Sequence, residues 1–265
     1  MATKRIPPGD LGLTTVAARV LFSSEDEPAG RVDMAVRRLS EAIRLGLLLD
    51  GERLPTEATL AEQMGVATVT LREALALLRE RGMIETRRGR SGGNFVTAQR
   101  NRAAGLYDRL REFSTEGLRD LGDHRSAVAG VAAKLAADRA VPSEIEGLVQ
   151  RLARFRLAHE ASELRRADAE FSLAVAAAAQ SPRLAVEELK LRAEIGDLLW
   201  LDFTGDDIEN FWALRARMVE AIIARDSDLA RDLAEKGVAS DTRRLLELRL
   251  NFYRLDSLEG GKVGQ

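Results

Sequence analysis

The chain contains 265 residues, carries a formal net charge of −2 and has no cysteine. This length suits two domains, and the lack of cysteine excludes a disulfide scaffold, thiolate chemistry and a thiolate-bound metal site. The composition, 45% hydrophobic and 31% charged, is typical of soluble helical proteins, and no apolar stretch approaches the roughly 20 residues of a membrane span. Because the N-terminus also lacks the apolar core of a signal peptide, we expect a cytoplasmic protein with no membrane partner.

The first 30 residues predict little regular structure. Pro7, Pro8 and Gly9 interrupt any regular element early, and residues 23–30 are polar and acidic. Residues 14–22 fit a short helix between these two stretches. We nevertheless expect residues 1–30 to form a frayed N-terminal arm, to which we assign no function.

The segment from Arg31 to Leu49 predicts the first amphipathic helix. Its apolar residues recur at helical spacing along one face, and three arginines lie on the other faces. These arginines either contact a phosphate backbone or are ordinary solvated residues, and the sequence leaves both readings open. The apolar residues are Val32, Val36, Leu39, Ile43 and Leu47, and the arginines are Arg37, Arg38 and Arg44.

Two short amphipathic helices follow and meet at Gly65. Thr56 is a suitable N-cap for the first helix, and Glu57 lies in its first turn, where the helix dipole favours an anion. Gly65 ends this helix because glycine readily adopts the positive φ of a tight turn. The second helix ends at Gly82, buries Leu71, Ala74, Leu75 and Leu78, and presents Thr68, Thr70, Arg72, Arg79 and Arg81 on its other faces.

A basic hairpin follows the second helix. Residues 83–86 and 94–97 predict two short strands, and residues 87–93 predict the turn between them. Its arginines supply contacts to phosphate or to the minor groove, and its glycines permit close backbone approach. This order of elements predicts a winged helix-turn-helix, whose second helix enters a DNA groove. The expected DNA-contacting residues are Thr56, Thr68, Thr70, Arg72, Arg87, Arg88, Arg90, Gly92 and Gly93.

The C-terminal half predicts an antiparallel bundle of helices. Every long pattern from Leu106 onward has a helical period, and alanine-rich runs permit close helix packing. The predicted helices lie at roughly 105–117, 119–139, 143–161, 163–180, 183–202, 207–225 and 227–252.

The whole chain is therefore predicted to be mainly all-α, with one small β-hairpin wing. Residues 31–100 contain 12 Arg and Lys against 9 Asp and Glu, whereas residues 101–265 contain 25 against 29. A mildly basic module on an acidic body agrees with a DNA-binding domain attached to a domain that does not touch DNA. The predicted parts are an arm at 1–30, a winged domain at 31–98, a linker at 99–105, a helical domain at 106–254 and a disordered tail at 255–265.

The winged segment resembles a known family. The run LPTEATLAEQMGV at 54–66, then TLREAL and GMIETRRGRSGGNFV, is similar to the DNA-binding domain of GntR-family bacterial transcription regulators. Two positions depart from the family pattern: Ala58 stands where arginine is usual, and Ala67-Thr68 where Ser-Arg is usual. The resemblance implies a winged DNA-binding domain whose recognition rests on Thr68, Thr70, Arg72 and the arginine wing.

The helical half resembles the effector domain of the FadR-like subfamily. The similar runs are HRSAVAGVAAKLAADRA at 124–140, RRADAEFSLAVAAAAQSPRL at 165–184 and LRARMVEAIIARDSDLARDLAEKG at 214–237. In that subfamily the domain is an all-helical bundle that binds a small ligand and dimerises. The resemblance therefore implies that residues 106–254 bind an effector and that the protein is a homodimer.

Many members of the subfamily bind a divalent metal through one Asp and three His, and this chain departs from that pattern. The carboxylate is kept as Asp168, but Ser172, Arg215 and Gly237 stand at the three histidine positions. Neither of the two histidines in the chain falls on a ligand position. Because imidazoles supply most of the affinity at such sites, we predict no tightly bound metal and no other cofactor.

Arg215 places a fixed positive charge beside Asp168, and two interpretations follow. Its guanidinium either holds a ligand carboxylate or phosphate, or forms an ion pair with Asp168 that fills a vestigial site. Acyl-CoA, which a metal-free branch of the subfamily senses, is a further candidate ligand. The expected effector-pocket residues are Arg125, Asp168, Ser172, Arg192 and Arg215.

Four aromatic residues near this site also allow two interpretations. They either enclose an apolar ligand cavity or are simply part of the core. They are Trp200, Phe203, Phe211 and Trp212.

The sequence predicts no enzyme. It contains no Ser-His-Asp order or metal-ligand cluster, and the glycine-rich run at 89–94 lies in a hairpin rather than in the strand-turn-helix of a phosphate loop. The leading hypothesis is a ligand-responsive repressor that binds double-stranded palindromic DNA as a dimer. The alternatives are a DNA-binding dimer that has lost ligand sensing, and a helical interaction protein with a degenerate winged domain.

Overall fold

The structure, a computed structural model, describes residues 30–48, 50–89, 92–97 and 102–260. The predicted arm, up to residue 29, lies outside this part of the chain. The described residues are mainly helical with a single β-hairpin, which confirms the predicted fold class. The N-terminal domain contains α1 (Arg31–Arg44), α2 (Glu57–Met64), α3 (Thr68–Glu80), β1 (Ile84–Arg87) and β2 (Gly93–Val96).

Helices α2 and α3 form the helix-turn-helix, and the local sequence sets both ends of α2. Thr56 Oγ1 accepts a hydrogen bond from the N–H of Thr59 at 3.3 Å, which confirms the predicted N-cap. Gly65 ends α2 with a φ of +65°, a left-handed conformation that favours glycine. Helix α3 packs against α1, and the predicted apolar stripe of Leu71, Ala74, Leu75 and Leu78 is buried.

Strands β1 and β2 form the wing that follows α3. They pair antiparallel, with buried Ile84 opposite buried Val96, so that the base of the hairpin is anchored in the core. Arg79 of α3 donates to Thr86 Oγ1 at 3.3 Å, and Thr86 donates to Asn94 Oδ1 at 2.7 Å. These two hydrogen bonds tie α3 to both strands of the wing.

The C-terminal domain is a helical bundle. Its two longest helices, the second and the last, make the most extensive contact between helices. In the described part of the chain, no helix is both long enough and apolar enough to cross a bilayer. The elements are α4 (Arg102–Glu112), α5 (Thr115–Arg139), α6 (Pro142–Arg156), α7 (Ala161–Ala178), α8 (Pro182–Ile195), a 3-10 turn (Leu198–Trp200), α9 (Gly205–Ile223) and α10 (Ser227–Gly260).

Two glycines on α5 permit its close approach to α10. A Cβ atom at Gly122 would lie 2.6 Å from Oγ1 of Thr242, and a Cβ at Gly130 would lie 2.6 Å from Oε1 of Glu235. Helices approach this closely only where one of them lacks side chains at the contact. The two positions therefore set the distance between the longest helices of the bundle.

The helix bounds differ from the predicted ones at three places. Helix α4 already begins at Arg102, within the predicted linker. The predicted helix at 183–202 is instead α8 and a 3-10 turn, because Gly196 caps α8 at its C-terminus. The predicted disordered tail is helical as far as Gly260, since no glycine or proline interrupts residues 253–259. Residues 261–265 lie outside the described chain.

The two domains share one continuous apolar cluster. Leu45, in the turn after α1, belongs to it together with Leu173 of α7 and Leu189 of α8. In the same turn, Gly46 has a φ of +71°, and a Cβ there would lie 3.1 Å from Nε of Arg165. The Leu45–Gly46 turn is thus where the winged domain rests on helices of the bundle.

Candidate functional site

The outer faces of α3 carry three of the predicted DNA-contacting residues. Arg72 is exposed, whereas Thr68 and Thr70 are half-buried and border the apolar stripe in the first turn. The N-cap residue of α3 is Ala67, whose side chain accepts no hydrogen bond. The N–H groups of its first turn therefore have no acceptor from the capping position.

Arg72 is joined to α2 by an ion pair. Its Nε donates to Oε2 of Glu57 at 2.7 Å, and the two side chains are 66% and 38% exposed. A pair this exposed contributes little to stability, but it sets the direction of the guanidinium. Thr56, whose side chain is also exposed, lies next to Glu57, so the start of α2 and the first turns of α3 form one polar surface.

The wing presents arginines to solvent. Arg87 and Arg88 are both exposed, while Arg90 lies outside the described residues. Arg87 Nε donates to Oε1 of Glu85 at 2.7 Å, and its guanidinium carbon lies 4.4 Å from the centre of the Phe95 ring. These contacts hold Arg87 along the hairpin.

The wing glycines have a structural reason of their own. Gly92 donates to the carbonyl of Gly89 at 2.9 Å, and a Cβ at Gly92 would lie 2.5 Å from the carbonyl oxygen of Arg87. A Cβ at Gly93 would lie 2.8 Å from Nε of Arg53. The backbone contacts of the tight turn therefore require Gly92, whereas Gly93 is favoured by its φ of +152°. The predicted contact of both glycines with DNA stays a prediction.

A network of charged residues lies buried inside the bundle, centred on Asp168 of α7. Oδ2 of Asp168 accepts from Nη1 of Arg192 at 2.5 Å, and Oδ1 accepts from Nη2 of Arg215 at 2.7 Å. Nη2 of Arg192 donates in turn to Oγ of Ser172 at 2.6 Å. The structure thus brings together four of the five predicted pocket residues.

The fifth, Arg125, pairs with a different carboxylate. Its Nη2 donates to Oδ2 of Asp241 at 3.0 Å. Arg192 has a second carboxylate partner, because its Nε donates to Oε1 of Glu188 at 2.9 Å. We define the buried network as Asp168, Ser172, Glu188, Arg192 and Arg215, with the adjoining pair of Arg125 and Asp241.

Sequence reasoning missed Glu188 and Asp241. The spacing of Glu188 and Arg192, four residues apart on one helix, is a signal that reveals such a pair. Asp241 lies 116 residues from Arg125, and no local pattern connects the two positions.

Opposing effects of burial and charge decide the ionisation of the network. Burial raises the pKa of Asp168, but Arg192 and Arg215 lower it by more, so the net pKa lies below the ordinary value. Burial lowers the pKa of Arg192, whereas the carboxylates of Asp168 and Glu188 raise it above its usual value. Burial lowers the pKa of Arg215 in spite of the nearby Asp168 carboxylate. At neutral pH, Asp168 is therefore ionised between two guanidinium ions.

These residues do not fit a divalent metal. Both carboxylate oxygens of Asp168 already accept hydrogen bonds from arginines. Arg215 offers only N–H donors, which cannot ligate a cation. Over the described residues, no three His, Cys, Asp or Glu side chains come together as a metal-binding group. The prediction that no metal binds tightly remains a prediction, and we assign no metal chemistry to this site.

Two small cavities adjoin the network and share Arg215 and Asp241 in their walls. The inner cavity offers about 50 Å³ to water-sized molecules, and the aromatic cavity offers about 60 Å³. Each therefore has room for roughly four waters. The inner cavity is bounded by Ala132, Phe171, Ser172, Arg192 and Met218, and the aromatic cavity by Trp200, Phe203, Phe211 and Arg244.

Three of the four predicted aromatic residues line the aromatic cavity and also pack on one another. The centre of the Trp200 ring lies 4.8 Å from the centre of the Phe211 ring and 5.4 Å from the centre of the Phe203 ring. Trp212 lies outside both cavities, and the guanidinium carbon of Arg156 lies 4.2 Å from the centre of its ring. The first three are thus both core and cavity wall.

Comparison with known proteins places both domains. Residues 31–93 match the family described as bacterial regulatory proteins, gntR family, and residues 120–239 match the FCD domain. The chain is 42% identical over 228 residues to the HTH-type transcriptional regulator RmpR of Mycobacterium gastri, with 83% of this chain and 82% of that protein covered.

Two relatives from Escherichia coli strain K12 match shorter stretches. The Glc operon transcriptional activator is 36% identical over 115 residues, covering 43% of this chain and 44% of that protein. The Exu regulon transcriptional regulator is 30% identical over 161 residues, covering 60% of each protein.

Among solved structures, E. coli McbR/YncC has a TM-score of 0.51 and 18% identity, covering 85% of this chain and 99% of that chain. This likeness supports the fold alone. Since the matched segments coincide with the winged domain and the bundle, and the relatives are transcription regulators rather than enzymes, the chain belongs to the GntR family and is a DNA-binding transcription regulator with an FCD effector domain.

Proposed function

We propose that this regulator acts in the cytoplasm as a homodimeric repressor whose affinity for a palindromic operator changes when a small carboxylate enters the bundle. The observation that carries the proposal is the buried network beside the inner cavity. Arg192 and Arg215 both border that cavity, and a guanidinium binds a carboxylate through two parallel hydrogen bonds.

Unsatisfied hydrogen-bond donors support an anionic ligand. Among the described side chains, Nε of Arg215 and Nη1 of Arg125 are buried and donate to no acceptor. Buried donors without partners are costly, and a carboxylate in either cavity would satisfy the one on Arg215, which lines both. The small size of the two cavities favours a short carboxylate over an acyl chain.

The winged domain supports the DNA-binding half of the proposal. Arg72 on α3 and Arg87 and Arg88 on the wing are exposed in the same domain. In a winged helix-turn-helix, the second helix enters the major groove, and a basic wing contacts the backbone or the minor groove. We infer that Thr56, Thr68, Thr70 and the turn around Arg90, Gly92 and Gly93 complete the contact.

The charge balance of the site favours a second function, in which the bundle binds no ligand. The three arginines of the network and its adjoining pair face three carboxylates, Asp168, Glu188 and Asp241. A balanced set of this kind also describes a filled site, in which Arg215 replaces a ligand permanently. The bundle would then serve only to dimerise the protein.

A thermal-shift screen separates the two functions. Small carboxylates should stabilise the wild type by about 5 °C or more at roughly 100 times their Kd. Arg215→Lys, which loses the two-pronged geometry, should lose this shift, whereas Arg217→Lys, on an exposed position of the same helix, should keep it. If no carboxylate moves the Tm, the filled-site function is correct. A shift that appears only with added Zn²⁺ would refute the metal-free proposal.

DNA binding is tested by gel shift at several salt concentrations. Contact with about six phosphates makes binding weaken steeply as salt rises. Arg72→Ala should abolish operator binding and leave the dimer intact, while Arg119→Ala, an exposed position on the bundle, should bind normally. Normal binding by Arg72→Ala would refute the role of α3. A wild type that binds no DNA at any salt concentration would favour a helical interaction protein with a degenerate winged domain.

The mechanism that we propose is a shift in population between two placements of the winged domains. Two half-sites of a palindrome lie one or more helical turns apart, so a dimer binds well only when its two recognition helices match that spacing. A ligand that prefers one placement changes operator affinity by its difference in affinity for the two placements. Equal operator affinity with and without bound carboxylate would refute this mechanism.

A further inference from the structure

One exposed apolar residue on α3 has no role in the fold. Val69 is 61% exposed, and it is the one large hydrophobic residue exposed to this extent in the described part of the winged domain. A β-branched residue is also a poor choice for an exposed helical position, because it loses side-chain freedom there. Neither packing nor helix propensity explains a valine at this position.

The position of Val69 on α3 gives it access to a groove. Leu71, two residues later, is fully buried. At about 100° per residue, Val69 lies about 200° around the helix from Leu71, on the face turned away from the core. Arg72, one helical turn further on, is exposed as well. The first turns of a recognition helix are those that reach base edges in helix-turn-helix proteins.

The chemistry of the major groove offers one apolar partner for such a side chain. Of the groups that base pairs expose there, the C5 methyl of thymine is the apolar one, and the rest are hydrogen-bond donors and acceptors. Neighbouring Thr68 and Thr70 supply hydroxyl groups for polar contacts, but Val69 has no polar atom. We propose that Val69 packs on a thymine methyl in each half-site and thereby selects thymine at one operator position.

This proposal rests on the DNA-binding function, and its test keeps the two separate. Duplexes that the wild type binds are first selected from a random library. Each thymine of the selected half-site is then replaced by deoxyuridine, which removes the C5 methyl and leaves base pairing unchanged. Wild type should lose about fourfold in affinity at one thymine per half-site, the value expected for one buried methyl.

Three variants complete the test. Val69→Ala should bind the thymine and deoxyuridine duplexes equally, and its own selected sites should no longer require thymine at that position. Val69→Thr keeps the shape but replaces one methyl by a hydroxyl, and it should discriminate less than wild type. Val149→Ala, an exposed valine of α6, should retain full discrimination.

Two results would overturn the proposal. In the first, the wild type selects a sequence yet is indifferent to deoxyuridine at every position, which would remove Val69 as a reader and leave DNA binding intact. In the second, Val69→Ala alters the molar mass of the protein in solution, which would assign the valine to a protein interface. A wild type that selects no sequence at all would instead contradict the DNA-binding function.

Discussion

Removing the charge of Asp168 leaves Arg192 with Glu188 as its remaining carboxylate partner and takes from Arg215 the carboxylate that it pairs with. Asp168→Asn should lower the stability of the protein by about 3 to 5 kcal/mol, because breaking a buried ion pair from one side leaves uncompensated charge. For a protein of this size, the Tm should fall on the order of 10 °C. The exposed Asp123→Asn is the matched control and should leave the Tm within about 1 °C.

The same carboxylate predicts how stability depends on pH. The pKa of Asp168 is lower in the folded chain than its ordinary value of about 3.9. Its contribution is therefore complete above that ordinary value and is lost as the pH falls through the folded pKa. The Tm difference between wild type and Asp168→Asn should be constant from pH 7 to about 5 and should shrink below about pH 4. A difference that is unchanged at pH 3 would contradict the ionised state of Asp168.

At the surface, Glu57 controls the direction of Arg72. Glu57→Gln removes the charge partner of an exposed arginine, so the fold should lose less than about 1 kcal/mol. Freed from its partner, Arg72 should bind any phosphate more readily, which would raise affinity for unrelated DNA by about threefold to tenfold and lower specificity. Competition gel shifts with operator and random duplexes measure the ratio, and a ratio equal to wild type would remove Glu57 from recognition.

The sequence predicted some residues of the buried network and not others. The difference depends on how far apart the two residues of an ion pair lie along the chain. Comparison with the family pattern was enough to place Asp168, Ser172 and Arg215 in one site. Glu188 was missed although it lies one helical turn from Arg192. Asp241 could not be found, because its contact with Arg125 is created by the packing of α5 on α10.

Among the elements, the contact of α5 with α10 is the most sensitive to a small change. A methyl group at Gly122 meets Thr242 at its branched Cβ end, which cannot swing away as a long side chain can. Gly122→Ala should therefore cost about 2 kcal/mol despite the better helix propensity of alanine. A Cβ at Gly237, on α10, would have no atom within 4 Å. Gly237→Ala should therefore stabilise the helix, because alanine has the better helix propensity.

A second substitution at Thr242 tests whether its contact with the new methyl group causes the loss of stability. In the double variant Gly122→Ala with Thr242→Ala, the hydroxyl and methyl nearest the new Cβ are gone, and part of the lost stability should return. Denaturant titration of the two single variants and the double variant gives the interaction energy. Additive effects would show that the two helices separate at this point without cost.

The elements themselves were predicted well where glycine ends a helix in open solvent. Gly65 and Gly82 both adopt positive φ with no atom near the Cβ position, so the backbone alone requires glycine, and the sequence shows it. Gly196 is different. A Cβ there would lie 2.6 Å from the carbonyl oxygen of Arg192 and 3.3 Å from Cδ2 of Leu45. The end of α8 therefore involves a contact with the other domain that no local pattern reveals.

On the scale of the whole molecule, the helices that hold the buried network also support the winged domain. Arg165 of α7, three residues before Asp168, lies against Gly46. Gly196, four residues after Arg192, lies against Leu45. A ligand that moves α7 or α8 at the network therefore acts on the Leu45–Gly46 turn directly.

This arrangement predicts a variant that separates sensing from DNA binding. Arg165→Gln loses the ion pair with Asp197 at 3.5 Å and the packing on Gly46. Carboxylate affinity and operator affinity measured separately should change little. The ratio of operator affinities with and without carboxylate should fall below about threefold, which is less than the roughly fivefold low end of typical coupling.

Fluorescence anisotropy of a labelled operator measures that ratio. The neighbouring Arg166→Gln is the control, since Arg166 pairs with Glu170 on its own helix, and it should keep the wild-type ratio. An unchanged ratio in Arg165→Gln would mean that the two domains are coupled by another route.

The closed arginine network also affects how fast the proposed carboxylate can bind. An anion that reaches the inner cavity finds Nε of Arg215 free, but the terminal guanidinium nitrogens of Arg192 and Arg215 already donate, so a two-pronged contact forms only after one of these bonds opens. The observed association rate should then level off at high ligand concentration, at the rate at which the network opens, instead of rising in proportion to concentration. Under the proposed function, a regulator of this kind would ignore brief pulses of metabolite and would respond to a supply that lasts longer than its own opening time.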